Sequence, residues 1–137
     1  MSLDRFVAAQ EGSYPAALAE LRAGAKRSHW MWFVFPQIAG LGRSDTARFY
    51  AIADADEARA YRAHPLLGPR LLECAAALLA HRGRSADEML GGIDAIKLRS
   101  SMTLFDAAAP DPLFAAVLDA FFGGTRDPAT LRLLAES

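Results

Sequence analysis

Helix starts and stops punctuate this chain at short intervals, and they constrain its fold more than any other feature. Ser13-Tyr14-Pro15 sets a capping residue ahead of a proline whose missing N–H costs nothing in a first turn. Asp111-Pro112 and Asp127-Pro128 repeat that device. Asp54 with Glu57, and Ser85 with Glu88, have the spacing of a capping box. Gly12, Gly24, Gly83, Gly91-Gly92 and Gly123-Gly124 stand where such helices stop. These signals predict helices over about 4–10 (Phe6 and Val7 inward), from Pro15 to Gly24, 45–52, 55–63, 64–81, a short one after Ser85, 94–108, 112–122 and 128–135. Gly68-Pro69 is expected to bend or split the first turn of the fifth. The one strand candidate, Trp32 to Phe35, is too short for periodicity to separate it from buried helix. The expectation is an all-α fold: a single compact domain over 1–137 with seven to nine short helices, without the long heptads of a simple four-helix bundle.

A chain of 137 residues is most simply one domain. At this length folding buries roughly 68% of the unfolded surface, so no disulfide or metal staple is required. The hydrophobic fraction of 53% is enough for a real core. Fifteen basic against sixteen acidic residues leave a net charge of -1, which removes the electrostatic case for a nucleic-acid polymer or an anionic membrane. No apolar run approaches the ~18 residues of a membrane span, and the amphipathic Met1-Ser-Leu-Asp-Arg-Phe6 is not read as a signal peptide. The single cysteine, Cys74, excludes an internal disulfide and fits a reducing cytoplasm. Its apolar surroundings mark it as a buried, inert thiol. His29, His64 and His81 lack HxxxH or HExxH spacing and there is no CxxC, so neither a zinc site nor any other cofactor is implied. No GxSxG elbow is present.

Function concentrates in one stretch, Lys26-Arg-Ser-His-Trp-Met-Trp-Phe-Val-Phe-Pro-Gln37 followed by Ile-Ala-Gly40-Leu-Gly42-Arg-Ser44. Both tryptophans lie here among polar groups that a core does not need. An unpaired polar group costs about 1–3 kcal/mol to bury. The segment therefore either borders the core or has something to bind. Gly40-Leu-Gly42-Arg-Ser44 precedes a helix, and a glycine turn at a helix N-terminus exposes N–H groups to an anion. With Lys26, Arg43 and the Ser44 hydroxyl it reads as a cradle for a phosphate or carboxylate. The competing reading is a tight turn that needs a glycine at positive φ. Ser28 and Gln37 add hydrogen-bonding groups, and His29 is the candidate general acid or base. Trp30 or Trp32 is the candidate stacking platform, against the commoner role of filling the core.

A second cluster, Lys97-Leu-Arg99-Ser-Ser-Met-Thr103-Leu-Phe105, is dense in hydroxyls for an apolar helix. Lys97 and Ser101 are four apart and share a face, so they suit anion binding, with Thr103 nearby. The alternative is hydroxyls bonded back to helix carbonyls and a lysine reaching water.

The strings Leu3-x-Arg-Phe6, Lys26-x-Ser-His-Trp-Met-Trp-Phe-Val-Phe-Pro-Gln37, Gly40-Leu-Gly-x-Ser44, Tyr61-x-x-His-Pro-Leu-Leu-Gly68, Lys97-Leu-x-Ser-Ser-Met-Thr-Leu-Phe105 and Asp127-x-x-Thr-Leu131 run through almost the whole chain. In them the chain resembles the DUF1810 family, small bacterial proteins sometimes labelled "calpastatin". The resemblance implies an all-helical single domain. It brings no activity, substrate or catalytic residue, and the label finds no support in a chain that forms a globular core.

The leading expectation is a pocket for a small anionic ligand of nucleotide, ADP-ribose or sugar phosphate type. Residues 26–44 form one wall and 97–103 the other. Lys26, Gly40, Gly42 and Ser44 hold the anion, Trp30 or Trp32 stacks on its ring, and Lys97, Ser101 and Thr103 reach in from the later helix. Were it an enzyme, hydrolysis or transfer at a phosphate- or ribose-linked bond would be the natural class, with His29 as acid or base. The alternative is a non-catalytic protein–protein interaction module, binding a partner or a second copy through an exposed patch of Trp30, Phe33 and Phe35.

Overall fold

A computed structural model describes residues 2–137. Ten helices follow one another among the described residues: α1 (Asp4–Glu11), α2 (Tyr14–Ala23), α3 (Met31–Val34), α4 (Asp45–Phe49), α5 (Ala55–Ala63), α6 (Leu67–Leu79), α7 (Ala86–Leu90), α8 (Gly92–Ala108), α9 (Pro112–Phe122) and α10 (Pro128–Glu136). Seven of them have seven residues or more, and the described residues contain no strand.

Most of the punctuation acts as the sequence predicts, but Ser13 makes no side-chain cap on α2 and the helix expected from residue 94 starts at Gly92. Asp111 caps α9 through Leu113 N–H at 2.9 Å, and Asp127 caps α10 through Thr130 N–H at 3.2 Å, each with proline in the first turn. Ser85 and Glu88 form a reciprocal capping box on α7. Asp54 accepts from Glu57 N–H at 2.9 Å, but Glu57 does not return the bond to Asp54. Its carboxylate instead takes Ala53 N–H at 2.9 Å and Arg5 Nη2 at 3.1 Å, tying α5 to α1.

Two departures follow from side chains that sequence periodicity does not weigh. The helix expected from His64 starts at Leu67, because His64 Nδ1 accepts from the Leu66 and Leu67 N–H groups at 3.1 and 3.2 Å and acts as the cap. Pro69 is then the third residue of α6, a position without an intrahelical donor, so no bend is forced. The strand candidate resolves into α3 and the residue that ends it, Phe35. Pairing of β type is limited there to a bridge between Ile38 and Ile52, where Gln37 O accepts Ile52 N–H and Ile52 O accepts Ala39 N–H, each at 2.8 Å.

Helix α8 is the axis of the molecule. It packs on α5, α7, α9 and α10, and residues 100–105 are buried on every side. The core gathers Phe6, Trp30, Phe35, Tyr61, Phe105 and Phe114 with the leucines of α6 and α8. Buried Gln10 joins four elements. Its Nε2 donates to Phe33 O at 2.7 Å and to the Tyr61 hydroxyl at 3.2 Å, and its Oε1 accepts from Arg70 Nη1 at 3.3 Å. Among the described residues no helix is long and apolar enough to cross a membrane.

Candidate functional site

The polar groups of 26–30 mostly have partners inside the protein, and their hub is Glu20 on α2. Its carboxylate accepts the backbone N–H of Arg27 at 2.7 Å and of Ser28 at 2.9 Å, the Ser28 hydroxyl at 2.5 Å, and the Trp30 indole N–H at 3.0 Å. Burial pushes the Glu20 carboxyl up, but the Ser28 hydroxyl, the two backbone amides and the indole outweigh it and hold it at about 2. Ser28 and Trp30 are therefore fixed to α2. With 1% of its surface exposed, Trp30 is core and offers no stacking face.

Lys26 crosses to the start of α8. Its Nζ lies 2.9 Å from Asp94 Oδ2, donates to Ser28 O at 2.6 Å and sits over the Trp30 ring. Lys97, one turn further along α8, meets the other Asp94 oxygen only at 3.8 Å and rests over the half-buried Trp32 ring, 4.7 Å from its centroid. Lys26 is thus a committed cation. Lys97 is loosely paired, and among the described residues its ammonium donates no hydrogen bond.

The glycine turn is built for backbone geometry. Gly40 has φ +103°, which a side chain rarely adopts, and packs on Leu133. A Cβ at Gly42 would collide with that of Ala47. The Ser44 hydroxyl caps α4 through Ala47 N–H at 3.1 Å. The turn reading thus accounts for Gly40 and Ser44, whereas Gly42 also reaches a cavity.

That cavity, about 300 Å³, opens between the loop after α3, the N-terminal half of α8 and the start of α10. Gln37, Leu41 and Gly42 form one side, Ile93, Ile96, Lys97 and Ser100 the second, and Asp127 and Ala129 the third. The Gln37 side-chain amide has no hydrogen-bond partner among the described residues. The Ser100 hydroxyl bonds Ile96 O at 3.2 Å and Asp127 Oδ2 at 3.1 Å. The cavity thus presents an ammonium, an amide and a carboxylate against an apolar wall.

A family model, "Protein of unknown function (DUF1810)", matches residues 1–134. The chain belongs to the DUF1810 family. No curated protein matches it. It is similar to the conserved hypothetical protein Rv1873 from Mycobacterium tuberculosis, known from a crystal structure. The two are 51% identical over 97% of this chain and 96% of that one, with a TM-score of 0.95.

Of the residues nominated from sequence, this DUF1810 protein brings Gln37, Gly42 and Lys97 to one cavity, with Trp32 behind Lys97. Lys26, Ser28, Trp30, Gly40 and Ser44 serve packing, capping and ion pairing instead. Ser101 and Thr103 are buried, and Thr103 donates back to Arg99 O at 2.8 Å, the back-bonding of a hydroxyl inside a helix. Ser100, not Ser101, shares the cavity with Lys97, three residues apart instead of four. His29 is exposed and absent from the cavity wall. Trp30, Phe33 and Phe35 are buried, so they form no exposed aromatic patch.

Ile93, Ile96, Ser100 and Asp127 were missed as site residues. Asp127 reads from sequence only as a cap, and Ile96 only as a core position, although it is 68% exposed. The i, i+3 spacing of Lys97 and Ser100 was the available signal. Elsewhere, burial pushes the Cys74 thiol up to about 12, as expected of an inert thiol. No group of three or more His, Cys, Asp or Glu among the described residues is placed to hold a metal ion.

Proposed function

We infer that this protein binds a small molecule carrying one anionic group, a carboxylate or phosphate, in the cavity beside Lys97. The observation that carries the reading is Lys97 itself. Its ammonium stands half-buried on the wall of a concave site, 3.8 Å from an Asp94 that Lys26 already holds, and donates no hydrogen bond to the described residues. A charge in that setting gains from a bound anion, and a hydrogen bond to a charged group contributes about 1.5–3 kcal/mol. Gln37 supplies an amide for orientation, and Ile93, Ile96 and Leu41 supply apolar area. At about 300 Å³ the cavity lies at the small end of ligand pockets, which span roughly 300–1,000 Å³. Its size, and the absence of a stacking ring on its wall, favour a sugar phosphate or short carboxylate over a nucleotide or ADP-ribose. The reading is one of binding.

Replacing Lys97 with methionine keeps the stem over Trp32 and removes the charge. The expected result is a loss of affinity of about tenfold or more for any anionic probe. Ligand-observed NMR with sugar phosphates, short carboxylates and nucleotides at millimolar concentration measures it. Silence across that panel, or equal binding by Lys97→Met, would end this reading.

One observation favours a second reading, an interaction surface. Ile93 and Ile96 are 75% and 68% exposed beside the cavity, so an apolar face exists at the start of α8 and not in the aromatic segment. Sedimentation velocity over a hundredfold concentration range tests it. A monomer throughout, unchanged by Ile96→Ser, counts against self-association.

A further inference from the structure

We propose that the ligand of this cavity is a zwitterion: its anionic group meets Lys97, its ammonium meets Asp127, and an apolar stem lies on Ile93 and Ile96. The proposal rests on the reading above and narrows it to amino-acid-like molecules.

Asp127 is more than a helix cap. Its Oδ2 accepts three bonds: the Ser100 hydroxyl at 3.1 Å, Thr130 N–H at 3.2 Å and the Thr130 hydroxyl at 2.5 Å. Its backbone N–H donates to the Thr103 hydroxyl at 3.0 Å. Capping α10 needs only the contact with Thr130. The bond from Ser100, on a different helix, additionally fixes the carboxylate against the cavity wall. Oδ1 accepts nothing from the described residues, and an ionised carboxylate has about four lone-pair sites.

No cation among the described residues pairs with this carboxylate, although two arginines are close by in the chain and the fold. Arg99 donates to the carbonyls of Thr125 at 2.9 Å and Arg126 at 2.6 Å. Arg126 pairs with Asp106 at 3.2 Å and donates to Gly124 O at 2.8 Å. Among the described residues neither forms an ion pair with Asp127. Lys97 does not either, although it lines the same cavity, and its nearest carboxylate, Asp94, is closer to Lys26.

The cavity therefore holds two opposite charges that are apart: Lys97, which shares Asp94 with the closer Lys26, and Asp127, which forms no ion pair with the described residues. A simple anion would satisfy Lys97 and be repelled by Asp127. A simple amine would meet the reverse. A dipolar ligand satisfies both, and its ammonium gains a charge-assisted bond in a partly desolvated site. Ile93 and Ile96, exposed without a ligand, gain cover from its stem.

The test uses matched probes on the full chain: leucine against 4-methylpentanoate, and 5-aminopentanoate against pentanoate, each pair differing by the ammonium. Glucose 6-phosphate serves as an anion without one. Affinities come from NMR titration. At least one zwitterion is expected to bind about tenfold tighter than its partner lacking the amine. Asp127→Asn keeps a good N-cap residue and should remove that advantage while leaving weak, Lys97-dependent carboxylate binding. Equal or tighter binding of both amine-free acids overturns the zwitterion, as does an advantage that survives Asp127→Asn. In either case Lys97-dependent binding would leave the anion reading standing. If glucose 6-phosphate and all four acids fail to bind, both readings fall. The probe comparison in the unmodified protein stands even if Asp127→Asn does not fold.

Discussion

Replacing Glu20 with alanine is expected to destabilise the fold by about 3 kcal/mol, from the penalty of about 1–3 kcal/mol for each buried polar group left unpaired. Four donors converge on its carboxylate, and the Trp30 indole N–H is the most deeply buried of them. Without the carboxylate the indole has no acceptor and the 26–30 turn loses its tie to α2. Glu20→Gln should cost less, because one carbonyl oxygen remains. Urea denaturation followed by tryptophan fluorescence measures both. The same carboxylate gives stability a pH dependence of known sign. Its folded pKa of about 2 lies below the value of about 4.3 for an unperturbed glutamate. The contribution is therefore complete above about pH 4.3 and fades as pH falls toward 2. The acid limb of the stability profile should flatten in Glu20→Gln. An unchanged acid limb would mean that the four bonds do not favour the ionised form.

Gly68→Ala is expected to cost about 3 kcal/mol, the upper part of the range for overpacking a close contact. Gly68 is the second residue of α6 and is buried. A Cβ there would stand deep inside contact distance of the Arg62 carbonyl oxygen, and 3.0 Å from the carbonyl carbon. Both neighbours are backbone, so relief requires α6 to move from the end of α5. The adjacent Tyr61 ring is fully buried against Phe6 and Phe105, which opposes that shift. A fall of about 10 °C in Tm would match this cost. Gly12→Ala is the control, because nothing lies within 4 Å and φ is -103°. It should be neutral or slightly stabilising. Equal melting temperatures for the two variants would contradict the packing argument.

The helices were legible because their signals are local. Asp54, Ser85, Asp111 and Asp127 each cap within a few residues of themselves, and Gly24 and Gly123 take the left-handed conformation at helix ends. His64 hid its role because histidine is an uncommon cap. Trp32 to Phe35 hid theirs because four apolar residues fit helix and strand alike. The candidate site was half legible. Gln37, Gly42 and Lys97 were nominated as unusual polar groups in apolar company, and that criterion also selected Lys26, Ser28 and Ser44, whose partners lie within the fold.

The chain by itself determines an all-helical domain, a Cys74 in apolar company and the polar residues that a candidate site can draw on, because capping, periodicity and side-chain chemistry act over a few positions. Only the tertiary structure decides which of those residues remain free. Lys26 and Lys97 are alike in sequence terms, yet Asp94 lies 2.9 Å from the first and 3.8 Å from the second. Ser100 and Ser101 are adjacent, yet only Ser100 meets Asp127, which is 27 residues away. Such distances depend on how α8 lies against α10 and the loop after α3. That packing is a property of the whole core, and no local spacing encodes it.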